Sequence, residues 1–200
     1  MKDLIFGLFL LFGSFGYGFY SYSEIHKHTE EVNFSQSLLT RTDVNLVPYV
    51  LNFVMKAEQN GIEVKDLLKP YKIHFQDLSV FGKNLVGLCF YHEKEIGIDP
   101  TNWNDPSMTQ INKQEALMHE LAHCVLGRVH EEALVRGTDT PKSIMFPSLL
   151  AQETILSRLS EYDHELFNPR EFNKLSLAFR DIGYYNSLSL LGVTIDEVRK

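Results

Sequence analysis

The apolar residues divide the chain into a leader, a polar stretch, a patterned middle and a tail. Leu4-Ile5-Phe6-Gly7-Leu8-Phe9-Leu10-Leu11-Phe12 follows Met1-Lys2-Asp3 and continues, apolar and glycine-rich, to Phe19-Tyr20. An apolar run behind an N-terminal basic residue is how export signals begin. Residues 1–21 are therefore expected to form a signal peptide or an uncleaved signal anchor, and the polar residues 22–41 a linker. The run is near the lower limit for spanning a bilayer, so a membrane tether through residues 4–20 is one of the two outcomes. Either outcome places the protein outside the cytoplasm, periplasmic or extracellular, or at the membrane.

From Thr42 the pattern becomes periodic. Thr42-Asp43 offers a helix start, and Val47, Leu51, Val54 and Met55 recur at helical spacing until Asn60-Gly61. Pro48 falls in the first turn, where its missing N–H is tolerated. This predicts an amphipathic helix covering a sheet. Pro70-Tyr71-Lys72-Ile73-His74-Phe75 alternates as a strand does. Asn84 to His92 is richly apolar, and Ile96-Gly97-Ile98-Asp99 follows the polar turn Glu93-Lys94-Glu95. The last two segments are expected to be neighbouring strands with a tight connection. Asn112 with Glu115 three residues on reads as a capping box opening a helix that Gly127 closes. Beyond Pro147 come a helical stretch to about Phe167, a break at Asn168-Pro169 and a helical tail. Residues 42–167 are thus expected to form one α+β (mixed α/β) domain, followed by a helical extension over 168–200.

Composition narrows the class rather than the fold. A chain of 200 residues, 44% hydrophobic and 22% charged, is globular and the size of one domain. A net charge of −7 without a basic stripe argues against nucleic acid as a partner.

Candidate chemistry sits in His119-Glu120-Leu121-Ala122-His123. Residues four apart on a helix share a face, so two imidazoles can bind one metal ion from the same side. Glu120 lies about 100° round from His119, beside the metal rather than on it, where a carboxylate can take a proton from water. Leu117, Met118, Leu121, Cys124 and Val125 fill the opposite face, so the helix is expected to bury its back and show its histidines to a cleft. Gly127 lets the backbone turn sharply, and His130 three residues later can return a third imidazole to the metal. Three protein ligands with an open fourth position suit catalytic zinc. Ser143-Ile144-Met145-Phe146-Pro147 follows a polar loop.

The run from His119 to His130 followed by Ser143-Ile144-Met145 resembles the metzincin clan of zinc peptidases. That clan's signature is H-E-x-x-H-x-x-G-x-x-H with a later Met-turn. The resemblance covers roughly residues 70 to 167. It implies a twisted sheet with a covering helix, a buried active-site helix and a mainly helical C-terminal part. It also implies a Zn2+ cofactor on His119, His123 and His130, Glu120 as general base, Met145 beneath the histidines, and a peptide or protein substrate. An edge strand in that clan pairs with extended substrate, and Leu85, Val86, Gly87 and Leu88 are the candidates, Gly87 permitting close backbone approach. Cys89 and Cys124 fall on this strand and on the active-site helix. They are either a disulfide, which export favours, or two buried thiols.

The sequence departs from the clan at two places. Cys124, Val125 and Leu126 separate the second histidine from the glycine, one residue more than the signature has, so the loop is expected to compensate. Phe146-Pro147 stands where many metzincins carry a tyrosine. Two other readings remain open. A gluzincin-like peptidase would take Glu153, Glu161 or Glu165 as third ligand, and a surface protein could hold a metal without turnover. His26 and His28 fall in the linker, His74 and His92 in strand regions, and His164-Glu165-Leu166-Phe167-Asn168 reads as ordinary helix surface.

Overall fold

The structure, a computed structural model, describes residues 29–168. The leader, His26, His28 and the tail from Pro169 lie outside the described residues. Where a linker was expected, residues 29–41 form a helix, α1, and the chain divides into two compact units between Thr40 and Arg41. Among the described residues no helix is long and apolar enough to cross a membrane.

In the second unit Thr42 bridges to Ile73, and the covering helix α2 begins at Val47 and runs to Gln59 rather than starting at Thr42-Asp43. Pro48 sits in its first turn, where no intrahelical partner is lost. The buried face is Val50, Phe53, Val54 and Ala57. Leu51 and Met55, expected on it, are exposed. Four apolar residues at helical spacing fit two overlapping stripes, and packing selected the one containing Phe53, whose ring meets Phe167 at 5.4 Å.

A short helix α3 (Lys65–Leu68) leads into a three-stranded sheet of order β1-β3-β2, with β1 at Lys72–Phe75, β2 at Gly87–Phe90 and β3 at Glu95–Ile98. The expected hairpin is present: β2 and β3 are antiparallel and joined through Lys94, which adopts a positive φ of 59°. β1 pairs with β3 in parallel. β2 therefore forms one edge of this sheet.

Asp99 caps the following helix α4 (Pro100–Trp103), its carboxylate accepting from the backbone N–H groups of Thr101 and Asn102 and of Leu78. α5 spans Gln110–Leu121 and is capped by Thr109, whose hydroxyl accepts from the Asn112 N–H. The capping box expected at Asn112 and Glu115 is absent. Both side chains are buried inside the helix and grip Leu150: Glu115 accepts from its N–H at 3.2 Å and Asn112 donates to its carbonyl at 2.9 Å. α6 (Gln152–Leu166) is the last element among the described residues and is bent at Arg158. The coarse class is mixed α/β, helix-rich around a small sheet.

Candidate metal centre

α5 does not simply stop at Gly127. After Leu121 it widens into a π-helical turn, Ala122–Leu126. A π turn closes i→i+5 instead of i→i+4, so it absorbs one residue more than an α turn. The additional residue between His123 and Gly127 is thus taken up within the helix, not by the loop as expected. Gly127 then adopts the left-handed conformation, φ 66°, and the N–H groups of Gly127 and Arg128 both donate to the Ala122 carbonyl. The wide turn leaves Cys124 with a carbonyl that the buried Tyr71 hydroxyl satisfies at 2.6 Å.

Leu117, Met118, Leu121, Cys124 and Val125 are all buried, as the helix's back. On the other face three imidazole nitrogens converge. The Nε2 atoms of His119 and His123 are 2.9 Å apart, and His130 Nε2 lies 3.2 Å from each. Among the described residues these three form the group able to hold a metal ion. The outer nitrogens fix two of the tautomers. His119 Nδ1 meets the Ile144 carbonyl at 2.9 Å, and His123 Nδ1 meets the Arg128 carbonyl at 2.7 Å. A carbonyl only accepts, so each Nδ1 carries the proton and each Nε2 presents a lone pair. Two acceptors facing each other at 2.9 Å repel unless a cation lies between them. Tetrahedral coordination at ordinary zinc–nitrogen lengths would set such nitrogens about 3.3 Å apart, close to what is found. His130 Nδ1 is buried without a partner.

Ionisation agrees with a ligand role. Burial, reinforced by the neighbouring His130, brings His119 down to about 4 against the hydrogen bond to Ile144. Burial and the other two imidazoles hold His123 well below its ordinary value, and burial lowers His130. All three therefore favour the neutral form that coordinates metal.

Glu120 stands beside the cluster. Burial pushes its carboxyl up to about 8, partly offset by a hydrogen bond from the Cys89 backbone. Its stem fills the space next to Gly87, where an added Cβ would meet Glu120 Cγ at 2.6 Å. The space beside Gly87 is thus taken by Glu120 rather than left for a substrate backbone. Cys89 and Cys124 form a disulfide, Cα–Cα 5.6 Å, linking edge strand β2 to the π turn. The strand against which the Glu120 stem packs is thereby joined to the residue that follows His123.

Behind the histidines lies a set of contacts that sequence reading missed. Glu165, expected on helix surface, pairs with Arg128 Nη2 and accepts from the Ser143 hydroxyl at 2.7 Å. Arg128 Nη1 also donates to the carbonyls of Glu165 and Leu166 at 2.9 Å each. Ser143 Oγ in turn accepts from the N–H of the fully buried Met145, and the Met145 carbonyl accepts from Glu131 N–H, next to His130. One carboxylate thus braces both carbonyl-bearing segments that orient His119 and His123. The only hint in the sequence was an arginine placed directly after the helix-ending glycine. Glu161 is exposed and pairs with Arg158, and none of Glu153, Glu161 and Glu165 joins the three nitrogens.

A cleft of about 650 Å³ opens over His119 and Glu120, walled by Leu85, Val86 and Gly87 on one side and by residues 146–149 on the other. Phe146 lines it in the place where a tyrosine was not found. Leu88 is buried beneath and does not line the cleft. A larger cavity of about 750 Å³ lies between α2, α5 and α6, lined by Pro48, Tyr49, Ile111, Met118, Leu156 and others.

No protein-family model matches the chain, and comparison with curated proteins and with solved structures returns no match.

Proposed function

We propose that the protein is a zinc-dependent endopeptidase of metzincin type, with His119, His123 and His130 as ligands and Glu120 as general base. The observation that carries this reading is the convergence of three imidazole nitrogens, two of them fixed as unprotonated by carbonyls behind them. A zinc ion there would act as a Lewis acid on the scissile carbonyl and make water a nucleophile at neutral pH. A cation held by the three histidines would favour the ionised form of the adjacent Glu120 against its burial, and Glu120, facing the cleft, would then accept a proton from the attacking water and deliver it to the leaving nitrogen as the C–N bond breaks. Water's oxygen ends on the new carboxyl; one of its protons reaches the leaving nitrogen through Glu120, and the other stays on the oxygen until the new carboxylic acid releases it to solvent or to the product amine. Gly87 leaves room for the Glu120 stem beside the ligands. Leu85 and Val86, leading into edge strand β2, suit the alignment of an extended peptide along the cleft.

The test is zinc content and peptide hydrolysis of the purified chain and of Glu120→Gln. Wild type is expected to bind about one zinc per chain and to cleave members of a broad peptide library. The amide keeps shape but cannot serve as a base, so the variant should retain zinc and lose about 10²–10⁴-fold in rate. A zinc-loaded wild type that cleaves nothing would leave a metal-binding protein without turnover. Absence of zinc from wild type would remove the reading altogether.

A further inference from the structure

The turn that carries His123 is fastened at a single residue from two sides. Cys124, buried in the middle of the π turn Ala122–Leu126, is bonded through its sulfur to Cys89 of edge strand β2. Its carbonyl accepts from the buried Tyr71 hydroxyl at 2.6 Å. Cys89 is itself paired with Ile96 in the sheet, which makes it a fixed anchor for the turn.

The bland account is a cross-link between residues 35 apart in sequence, acting on the unfolded chain alone. Such a bond would leave the native site untouched wherever it lay. That account makes no use of where this one lies. His119 precedes the π turn, His123 lies within it beside Cys124, and His130 follows beyond Gly127. The turn therefore sets the place of two ligands relative to the first. A π turn is rare and takes one residue more than an α turn. If it relaxed to α geometry, the residues after it would rotate by about 100° around the helix axis. His130 would then leave the other two nitrogens. Its own ring adds nothing to hold it, because Nδ1 is buried without a partner.

We propose that the Cys89–Cys124 disulfide and the three-histidine site are coupled, so that the disulfide form binds zinc more tightly than the dithiol form. The chain is then a redox-dependent metal site, complete in an oxidising compartment and weakened by thiol reduction. This rests on the zinc part of the proposed function and not on peptide hydrolysis. The redox step is a two-electron exchange. The Cys89–Cys124 S–S bond and two glutathione thiols become two cysteine thiols and one glutathione disulfide, with no net release of protons.

Zinc affinity is to be measured on the full chain by chelator competition, for disulfide-bonded wild type and for the double variant Cys89→Ala with Cys124→Ala. Outer contacts that orient metal ligands are worth about 10–100-fold in affinity, and the folded variant should lose that much. Coupling is reciprocal, which gives a second measurement on wild type alone. In glutathione buffers, with zinc saturating or absent, alkylation and mass spectrometry give the disulfide fraction. Saturating zinc should raise the ratio of squared glutathione to glutathione disulfide at half reduction by the factor found for affinity. This shift decides by itself if the variant does not fold. Equal affinities in wild type and folded variant, an unmoved ratio, or a ratio that zinc lowers because the thiols take the metal, overturns the proposal. A wild type that binds no zinc removes the metal reading and this proposal together. One whose zinc affinity ignores the disulfide removes this proposal alone.

Discussion

α5 borders two cavities, and the larger one is the chemically poorer. On the α2 and α6 side the space is about 750 Å³ and mainly apolar, with the Lys56–Asp163 ion pair joining the two helices beside it. On the β2 side the space is about 650 Å³, yet it contains His119, Glu120 and the open edge leading into the strand. Volume does not distinguish them; the fixing of polar atoms does. On the cleft side the two facing histidines are each oriented by a carbonyl behind them: His119 by Ile144 and His123 by Arg128. A site that must hold a cation needs lone pairs that cannot rotate away, and that requires partners behind them.

The largest effect should come from the oriented nitrogens themselves. His123→Ala is expected to abolish stoichiometric zinc binding, about a thousandfold or more in affinity, because a site's roughly 10–16 kcal/mol is shared among few ligands. His130→Ala should cost less, since its Nδ1 has no partner holding the ring. Competition with a chromogenic chelator measures both. Equal or reversed losses would mean that orientation is not what distinguishes the ligands.

Next is the brace. Glu165→Gln weakens the hold on Arg128 and Ser143 together without touching a histidine. Loss of such outer contacts typically costs about 10–100-fold in metal affinity, and the same chelator assay should find it. An unchanged affinity would confine Glu165 to holding α6 in place.

The smallest effect concerns Glu115, which borders both cavities. Burial raises its carboxyl from 4.5 to about 8, against the hydrogen bond from Leu150. Between those values the folded metal-free chain holds a proton that the unfolded chain has released. Its contribution to stability is therefore fully present below about 4.5 and lost as the pH rises through about 8. The neutral histidines slope the other way over the acid range, so the informative quantity is the difference between variants. Glu115→Gln should gain on wild type in thermal midpoint from pH 5 to pH 8, by a few degrees. A constant difference across that range would show Glu115 to be ionised in the fold already.

The sequence by itself determined the elements of the site that depend on local spacing. Two histidines four apart, a glutamate between them, a glycine free to take positive φ and a hairpin around Glu93-Lys94-Glu95 are legible because helix and turn geometry repeat in any protein. It also placed the buried back of α5, since Leu117, Leu121 and Cys124 follow the helical period. Tertiary structure decided the rest. Which stripe of α2 is buried depended on where Phe167 arrives, and the sequence spacing of Val47, Leu51, Val54 and Met55 carries no record of that. The additional residue before Gly127 could have been absorbed in a loop. Tyr71, more than fifty residues away, supplies the hydroxyl that meets a carbonyl of the π turn. Glu115 looked like a cap and Glu165 like solvated surface, because each is defined by a partner distant along the chain: Leu150 for one, Arg128 and Ser143 for the other. Polar side chains read alike in a sequence whether they meet water or a buried donor, and only the folded chain brings the donor to them.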